Sequence, residues 1–476
     1  MMNPKSDKTT NNNNMTGPIP RVMIAAVSSG SGKTTVTVAL LEALKRRGYK
    51  PVSFKCGPDY IDPMFHRTVL EIDSLNLDSY FMPEREIVDT VSQCGGDISV
   101  IEGVMGIYDG IDTESDRGSC YEIARITKTP IILVVNAAGS GRTITSVIKG
   151  VLADDTDNLI QGIILNRISD SFYHKLLPYL EREIAGIRND VSIIGHLPGN
   201  DNIHIDSRHL GLALPQEVSG IRDVISRAAD LIEANCDIGR IMEISQGATL
   251  VPAAAQKSRT KSLYHRIAVA RDEAFCFYYP QNISFLEEIG YEIVYFSPIR
   301  DKHIPEGSDA LLLGGGYPEL HLEELSRNTS MLLSIRSAVR SGIPSLAECG
   351  GFMYLHNAIE DKGGRQYRMA GVVDGICSYS GHLVNFGYTK VAGFSGRSCE
   401  DKHEDCSDWR DLIAGMRGHE FHYYESTCEG DDLLMRKAST GKEYPSMHAG
   451  KNHLWGFAHF YYPSAKDGIK RFLLGE

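Results

Sequence analysis

The sequence predicts an α/β fold built from two domains. The chain has 476 residues, of which 42% are hydrophobic, and a single core seldom grows to that size. Short apolar runs alternate with stretches of helical spacing, which indicates parallel strands covered by helices on both faces. The pattern lapses after residue 238 and restarts at Arg266. We therefore predict one domain over residues 20–238, a connection over 239–264 and a second domain over 265–476.

The composition limits the partners that this chain is expected to have. Its formal net charge is −12, so we expect no general attraction to nucleic acid or to an anionic membrane surface. No apolar run reaches the roughly 18 residues that a membrane helix needs. Ten cysteines without a regular spacing suit a reducing cytoplasm. Residues 1–19 hold no apolar stretch and predict a disordered tail rather than a signal peptide.

Each predicted strand is a short apolar run. The first, residues 21–27, leads into a glycine-rich turn, and residues 36–47 then show helical spacing. The further strand candidates of the first half are residues 51–54, 98–101, 131–135, 160–165 and 191–194. Those of the second half are residues 267–270, 292–296, 310–313 and 345–347, and more strands and turns are expected from about residue 371.

The turn after the first strand has the composition of a phosphate-binding loop. Small residues let backbone N–H groups converge on phosphate oxygens, and the helix N-terminus adds a partial positive charge. Lys33 can reach the terminal phosphates, and Thr34 can place its hydroxyl on Mg²⁺. Val27 stands where the strict pattern asks for Gly, and an ordinary glycine turn is the structural alternative. The predicted nucleotide-binding residues are Ser29, Gly30, Ser31, Gly32, Lys33, Thr34 and Thr35.

Two more polar stretches follow strands of the same domain. Glu102 ends an apolar run, where a carboxylate faces the ligand crevice of a parallel sheet and could hold Mg²⁺ with Thr34; a solvated loop residue is the alternative. Residues 54–63 offer a cation at Lys55 and oxygens at Asp59 and Asp62 for a metal or a developing charge, beside Tyr60. Turn formation explains about half of these residues equally well.

The second domain contains a candidate nucleophile. Cys349 follows a predicted strand and precedes two glycines that permit a tight turn into a helix. The helix N-terminus is expected to lower the pKa of the thiol and favour the thiolate. Upstream, the glycine-rich residues 313–319 could direct N–H groups at an oxyanion. A buried cysteine that acts only as a small hydrophobe is the alternative.

A thiolate nucleophile needs a histidine as its base, and three candidates stand in the second half. His459 lies in an apolar segment, which suggests either a hydrogen-bonded core histidine or a base presented at a strand end. His419 and His422 lie together in a second segment. Spacing alone does not choose among the three.

At these motifs the sequence resembles the cobyrinate a,c-diamide synthase family over nearly the whole chain after the tail. One group of motifs resembles the synthetase half of that family: residues 29–34, 55–63, 102–110 and 207–212. A second group resembles its glutaminase half: residues 314–319, 347–351, 418–422 and the segment around His459.

The resemblance implies the fold and several residue roles. It implies a P-loop domain of the parallel doubly wound type, similar to dethiobiotin synthetase, followed by a flavodoxin-like class I glutamine amidotransferase domain. Cys349 is then the nucleophile and His459 its base, with N–H groups near Gly315 and Gly351 holding the oxyanion. Many class I glutaminases carry Glu where this chain has Tyr461, so what orients His459 stays open.

The resemblance also implies the activity. Ammonia freed from glutamine would amidate the a and c acetate carboxylates of cobyrinate, each activated by ATP and Mg²⁺ as an acyl phosphate, in cobalamin biosynthesis. The implied partners are glutamine and an anionic tetrapyrrole, with a homodimer as one assembly. A protected ammonia route is expected, because free ammonia is mostly ammonium at neutral pH.

Related activities share these motifs. Nickel-sirohydrochlorin a,c-diamide synthase of the coenzyme F430 pathway performs the same chemistry, and the motifs do not separate the two. Cobyric acid synthase acts on other side chains. A regulatory P-loop ATPase with an inert glutaminase-like domain is a more remote alternative, and that type usually carries an extra lysine where this chain has Ser28.

Overall fold

The first domain is built on a seven-stranded parallel sheet. The computed structural model describes residues 19–199, 207–208, 211–212, 220–249, 264–395 and 409–475, so the expected tail at 1–19 lies outside them except for its last residue. The strand order β3-β2-β4-β1-β5-β6-β7 is doubly wound, as predicted. The strands are β1 (Arg21–Ala26), β2 (Pro51–Cys56), β3 (Ser74–Leu77), β4 (Ile98–Glu102), β5 (Ile131–Asn136), β6 (Ile160–Asn166) and β7 (Ser192–Leu197).

Every residue of β1, β2 and β4 is buried, since helices cover both faces of this sheet. The order of the strands reverses around β1, and in such sheets ligands bind at the carboxyl ends of the strands near that reversal. The helices are α1 (Lys33–Arg46), α2 (Ile61–Phe65), α3 (Glu84–Gln93), α4 (Cys120–Thr127), α5 (Thr143–Asp154), α6 (Asp170–Ala185), α7 (Ile221–Asn235) and α8 (Ile238–Gln246). One π-helical turn, His66–Leu70, extends α2, and a short hairpin joins β8 (Ser207–Arg208) to β9 (Gly211–Leu212).

The predicted connection over residues 239–264 begins too early. Residues 239–246 are helical in α8, which packs against β1, β6 and β7. The side chains of Ile241 and Ile244 are buried there, and this apolar face ties the segment to the first domain. Residues 250–263 lie outside the described part of the chain.

The second domain combines a mostly parallel sheet with antiparallel strands. Its main sheet has the order β11-β10-β12-β13-β23-β22, in which only β22 runs antiparallel to its neighbour. Two antiparallel-rich sheets, β15-β14-β16-β19 and β21-β20-β17-β18-β24, pack beside it. The strands are β10 (His265–Ala270), β11 (Tyr291–Phe296), β12 (Ala310–Leu313), β13 (Ser345–Glu348), β14 (His356–Glu360), β15 (Gln366–Arg368), β16 (Val373–Tyr379), β17 (Asn385–Phe394), β18 (Arg417–His422), β19 (Tyr424–Ser426), β20 (Leu433–Lys437), β21 (Glu443–Ser446), β22 (His448–Gly450), β23 (His453–Gly456) and β24 (His459–Phe460).

Helices surround the main sheet of the second domain, and α12 follows directly from β13. In the residues that the structure describes, no helix of either domain has the length and apolar character to cross a membrane. The helices are α9 (Pro280–Glu288), α10 (Leu322–Arg327), α11 (Thr329–Arg340), α12 (Gly350–Leu355) and α13 (Lys466–Leu474).

Aromatic side chains join the two domains. Phe81 of the first domain stacks on Tyr461 of the second, with ring centroids 5.6 Å apart. The hydroxyl of Tyr388 donates to Asp78 at 2.8 Å, and Arg417 donates to the carbonyl of Tyr80 at 2.5 Å. Buried aromatic contacts of this kind are worth more than their area alone. The interface therefore holds the two domains in a defined orientation.

Candidate active sites

The turn between β1 and α1 has the conformation of a phosphate-binding loop. Gly32 caps α1 with φ +97°, and a Cβ at this position would lie 2.1 Å from Nδ2 of Asn166. Only glycine fits there, because the amide of Asn166 donates to the carbonyl of Ser31 at 2.8 Å. Asn166 ends β6 and braces the loop from the far side of β5. Sequence reasoning missed this residue, although an Asn at the end of an apolar run was a signal for it.

Lys33 lies folded over the loop. Its Nζ donates to the carbonyls of Ser28 at 3.2 Å and Met105 at 2.5 Å. Burial lowers the pKa of the ammonium, and the nearby cation of Lys55 lowers it further. The hydrogen-bond acceptors of this ammonium among the described residues are neutral carbonyls, and a buried ammonium gains when an anion arrives. The position of Lys33 therefore fits a phosphate ligand.

Behind the loop, four of the candidate residues from the sequence form a largely buried cluster of charged groups: Lys55, Asp59, Asp62 and Glu102. Lys55 contacts Glu102 at 2.7 Å and Asp62 at 2.5 Å. Burial disfavours the ammonium, but these two carboxylates together raise its pKa well above the ordinary value. Burial also raises the pKa of Glu102, and it raises that of Asp59 to about 8. Two hydrogen bonds hold Asp59, whose Oδ1 accepts from the backbone of residues 61 and 62.

The residues around Glu102 fit a magnesium ion. The hydroxyl of Thr34 donates to Oε1 of Glu102 at 2.6 Å, so both predicted ligands meet at one point. The second oxygen, Oε2, is buried without a hydrogen-bond partner among the described residues and lies 3.9 Å from Nε2 of His66. Mg²⁺ commonly takes one or two protein oxygens and fills its shell with phosphate and water. The described residues contain no group of three or more His, Cys, Asp or Glu arranged to hold a metal ion by themselves, and this type of site does not require one.

The candidate nucleophile sits at a strained turn. Cys349 has φ 49° and ψ −107° between β13 and α12, a conformation that costs energy for any residue other than glycine. The glycines beside it allow close packing: a Cβ at Gly350 would lie 3.2 Å from the amide nitrogen of Gly316, and one at Gly351 would lie 2.1 Å from the carbonyl of Leu313. The cysteine turn and the glycine turn after β12 are therefore in direct contact.

Cys349 opens into a cavity of about 860 Å³. The three histidines that the sequence proposed as bases all line it, together with the glycine turn. A Cβ at Gly315 would lie 2.3 Å from Cε1 of His459, so the imidazole rests against that turn. The lining includes Tyr60, Phe277, Gly316, Tyr317, Glu319, Cys349, His419, Phe421, His422 and His459.

The expected lowering of the thiol pKa is wrong for this structure. Burial raises the pKa of Cys349 to about 12, and the carboxylate of Glu319 acts in the same direction. The amide of Gly350 lowers it, as a helix N-terminus should, but α12 has only six residues. Desolvation of the charge outweighs one amide. The resting pair is therefore a thiol and a neutral imidazole, since burial also lowers the pKa of His459 to about 3.

We expect alkylation of Cys349 by iodoacetamide to become faster with pH and to reach no plateau between pH 7 and pH 9. The reason is that a thiol with a pKa of about 12 gains roughly tenfold in thiolate per pH unit over that range. The rate is read from the peptide that contains Cys349 by mass spectrometry. A short unstructured peptide with one cysteine in the same tube is the control, and its rate should start to fall below a tenfold gain per pH unit near roughly pH 8.5. A plateau near pH 8 for Cys349 would show that its thiolate already forms at neutral pH.

The hydrogen bonds of the three histidines differ. Nδ1 of His419 is 3.2 Å from the hydroxyl of Tyr279, and Nδ1 of His422 is 2.8 Å from the carbonyl of Tyr424. Nδ1 of His459 is buried and has no hydrogen-bond partner within the described ranges. Nε2 of His422 is likewise buried without a partner in the described part of the chain, so the hydrogen bonds alone do not select the base. His459 is the ring that rests against the glycine turn at Gly315.

Tyr60 does not belong to the phosphate site, where the sequence had placed it with its neighbours. Its ring leaves the first domain and stacks on Phe277 of the second, with centroids 5.1 Å apart and 4° between the ring planes. It also lies 5.3 Å from the ring of His459 and lines the cysteine cavity. The chain order could not reveal this placement, because the docking of two domains decides it.

The fold and these two centres define a class of protein. A phosphate-loop domain joined to a domain with a cysteine at a strained turn is the arrangement of a glutamine-dependent amidotransferase. Residues 22–212 match the family model described as CobQ/CobB/MinD/ParA nucleotide binding domain. Residues 266–457 match the model described as CobB/CobQ-like glutamine amidotransferase domain.

Curated relatives match across both domains. A cobyrinate a,c-diamide synthase of Listeria innocua is 36% identical over 93% of this chain and 96% of its own length. Those of Caldanaerobacter subterraneus and Clostridium acetobutylicum are 35% and 36% identical, over 95% and 94% of this chain and 97% and 98% of their own lengths. This chain belongs to the cobyrinate a,c-diamide synthase family.

Proposed function

We propose that this protein converts the a and c acetate carboxylates of cobyrinate into carboxamides, with ATP as the activating agent and glutamine as the source of nitrogen. The observation that carries the proposal is that one segment, residues 57–62 leading into α2, contributes side chains to both centres. Asp62 of this segment contacts Lys55 beside Glu102, while Tyr60 lines the cavity of Cys349. Two chemically different sites that share a segment are suited to consecutive steps of one reaction.

The glutaminase half acts first on the side-chain amide of glutamine. The sulfur of Cys349 attacks the amide carbon while His459 accepts the thiol proton. N–H groups of the glycine turn at Gly315 and of the start of α12, at Gly350 and Gly351, hold the oxyanion. His459 then returns the proton to the departing nitrogen, ammonia leaves, and water hydrolyses the glutamyl thioester to glutamate.

The synthetase half makes the carboxylate reactive. A carboxylate is a poor acyl electrophile, because it is negative and stabilised by resonance. Transfer of the terminal phosphate of ATP removes the charge and supplies a leaving group; Lys33 holds that phosphate. Thr34 and Glu102 would hold Mg²⁺, which supplies charge neutralisation on the phosphates. Ammonia replaces phosphate at the acyl carbon, so that ADP and inorganic phosphate are the products.

A direct test incubates the protein with glutamine, ATP and Mg²⁺ and either cobyrinate or nickel-sirohydrochlorin. Two successive exchanges of OH for NH₂ on cobyrinate, read by mass spectrometry, are the expected result. Amidation of nickel-sirohydrochlorin but not of cobyrinate would show that the nickel compound is the substrate. Oxygen-18 in the substrate carboxylate should appear in inorganic phosphate, and its appearance in AMP would overturn the acyl phosphate.

We expect replacement of Tyr60 by Ala to uncouple the two halves. The ring of Tyr60 packs between Phe277 and Tyr279, with its centroid 4.4 Å from that of Tyr279, so its removal opens the cysteine cavity at the domain boundary. Ammonia would then escape, and the glutamate released per amide formed should rise several-fold. Amidation at saturating external ammonia should stay close to the wild-type rate.

The matched control for this change is Tyr60→Phe. It keeps the ring and loses only the hydroxyl, so the ratio of glutamate to amide should stay close to that of the wild type. An unchanged ratio in Tyr60→Ala would show that this ring does not retain ammonia.

A further inference from the structure

The residue before the nucleophile reaches the strand that carries the candidate base. Glu348 ends β13 and its side chain is buried. Its Oε2 lies 3.8 Å from Nδ1 of His459, and its Oε1 accepts the N–H of Phe460 at 3.3 Å. The hydroxyl of Tyr462 also hydrogen-bonds the carboxyl group. One carboxyl group therefore contacts three of the four residues of the segment 459–462.

The carboxyl group of Glu348 is placed to supply a hydrogen-bond acceptor for the imidazole of His459. Nδ1 of His459 is buried without a hydrogen-bond partner among the described residues, and such an atom is costly unless a partner comes into reach. The carboxyl group of Glu348 is the acid that the structure places within 4 Å of it. Hydrogen bonds of catalytic groups are often long in a resting site and tighten when substrate binds.

Tyr461 stands where many class I glutaminases carry Glu, and its side chain contacts the first domain instead of His459. Tyr461 hydrogen-bonds through its hydroxyl to Glu86 of the first domain, and its ring stacks on Phe81. Tyr461 is thus part of the domain interface. A carboxyl group that orients His459 would therefore have to stand elsewhere in the chain than at position 461.

We propose that Glu348 is the positioning residue for His459. Its carboxyl group accepts a hydrogen bond from Nδ1–H, which leaves Nε2 unprotonated for the thiol of Cys349 and stabilises the imidazolium that forms when the thiol proton is transferred. The inference rests on the proposed roles of Cys349 and His459 and adds the group that orients the base.

The pKa shifts of both groups come mainly from burial, so the geometry carries the proposed role. Burial raises the pKa of Glu348 to about 8 and lowers that of His459 to about 3. Both groups therefore favour their neutral forms in the resting site. In that state the carbonyl oxygen of the neutral carboxyl group accepts from Nδ1–H, and the same hydrogen bond stabilises the imidazolium that forms when the thiol proton is transferred.

The test compares Glu348→Gln with Glu348→Asp in the full-length protein. Gln keeps the size and can still accept from Phe460, but its amide can present N–H to Nδ1 and select the wrong tautomer. We expect the kcat of glutamine hydrolysis to fall about 10²-fold in Glu348→Gln with KM for glutamine nearly unchanged. Asp keeps a carboxyl group, which has no N–H to present to Nδ1, and should recover part of that loss. Ammonia-dependent amidation should stay at the wild-type level in both.

Glu292→Gln is the control for loss of one carboxylate, because Glu292 lies half-exposed on β11 in an ion pair with Arg266. A kcat for Glu348→Gln close to wild type would overturn the inference, as would an Asp variant no better than Gln, since both results indicate a role in packing alone. Cys349→Ser in the same assay distinguishes a failure of the proposed function from a failure of the present inference. If it still hydrolyses glutamine, the proposed function fails; if it does not and Glu348→Gln is normal, only the present inference fails.

Discussion

Replacement of Cys349 by Ser should abolish the use of glutamine and spare the use of ammonia. The proposed reaction needs a sulfur nucleophile at a turn whose backbone is already strained, and a serine hydroxyl with the same base is far less nucleophilic. We expect the glutamine-dependent rate to fall at least ~10³-fold. The measurement is amide formation from cobyrinate with glutamine and, in parallel, with ammonium chloride at alkaline pH.

Cys377 provides a matched control for this variant. It is a fully buried cysteine of β16 in the same domain, outside the proposed machinery, and Cys377→Ser should leave both activities close to wild type. Survival of glutamine-dependent amidation in Cys349→Ser would refute the nucleophile. Loss of the ammonia-dependent activity as well would mean that the substitution damages the first domain.

The second large effect is expected at the phosphate loop of the first domain. Lys33→Ala removes the ammonium that contacts the carbonyls of Ser28 and Met105 over the phosphate loop. Because the transferred phosphate then lacks its cation, amidation should fall about 10²–10³-fold with either nitrogen source. Basal hydrolysis of glutamine should continue, since Lys33 does not line the cavity of Cys349.

Lys50→Ala is the control, because it removes an exposed lysine of the same domain. Binding of ATP, followed by calorimetry, should weaken in Lys33→Ala and stay unchanged in Lys50→Ala. Full amidation activity in Lys33→Ala would exclude the phosphate role. Lys33→Ala should lose amidation and keep the hydrolysis of glutamine, whereas Cys349→Ser should lose the use of glutamine and keep ammonia-dependent amidation. These opposite patterns are expected for two centres that act in sequence.

The sequence by itself determined the fold class and the local motifs. The alternation of apolar runs and helical stretches predicted the doubly wound sheet, because strands buried on both faces are mostly apolar along their length. Glycines at positions 30 and 32 predicted the phosphate loop, and the pair after Cys349 predicted the sharp turn, because positive φ and close backbone contact require small residues. Such signals are local, and a single sequence contains them in full.

Tertiary structure alone decided what the remaining groups do. Burial reversed the expected pKa shift of Cys349, because desolvation depends on every element that covers the sulfur. Docking of the two domains moved Tyr60 from the phosphate site to the cysteine cavity and turned Tyr461 toward Glu86. The acid beside His459 came from Glu348, more than a hundred residues earlier in the chain, because the pairing of β13 with β23 and of β24 with β18 brings these segments together. No local sequence pattern predicts contacts between residues that lie far apart in the chain.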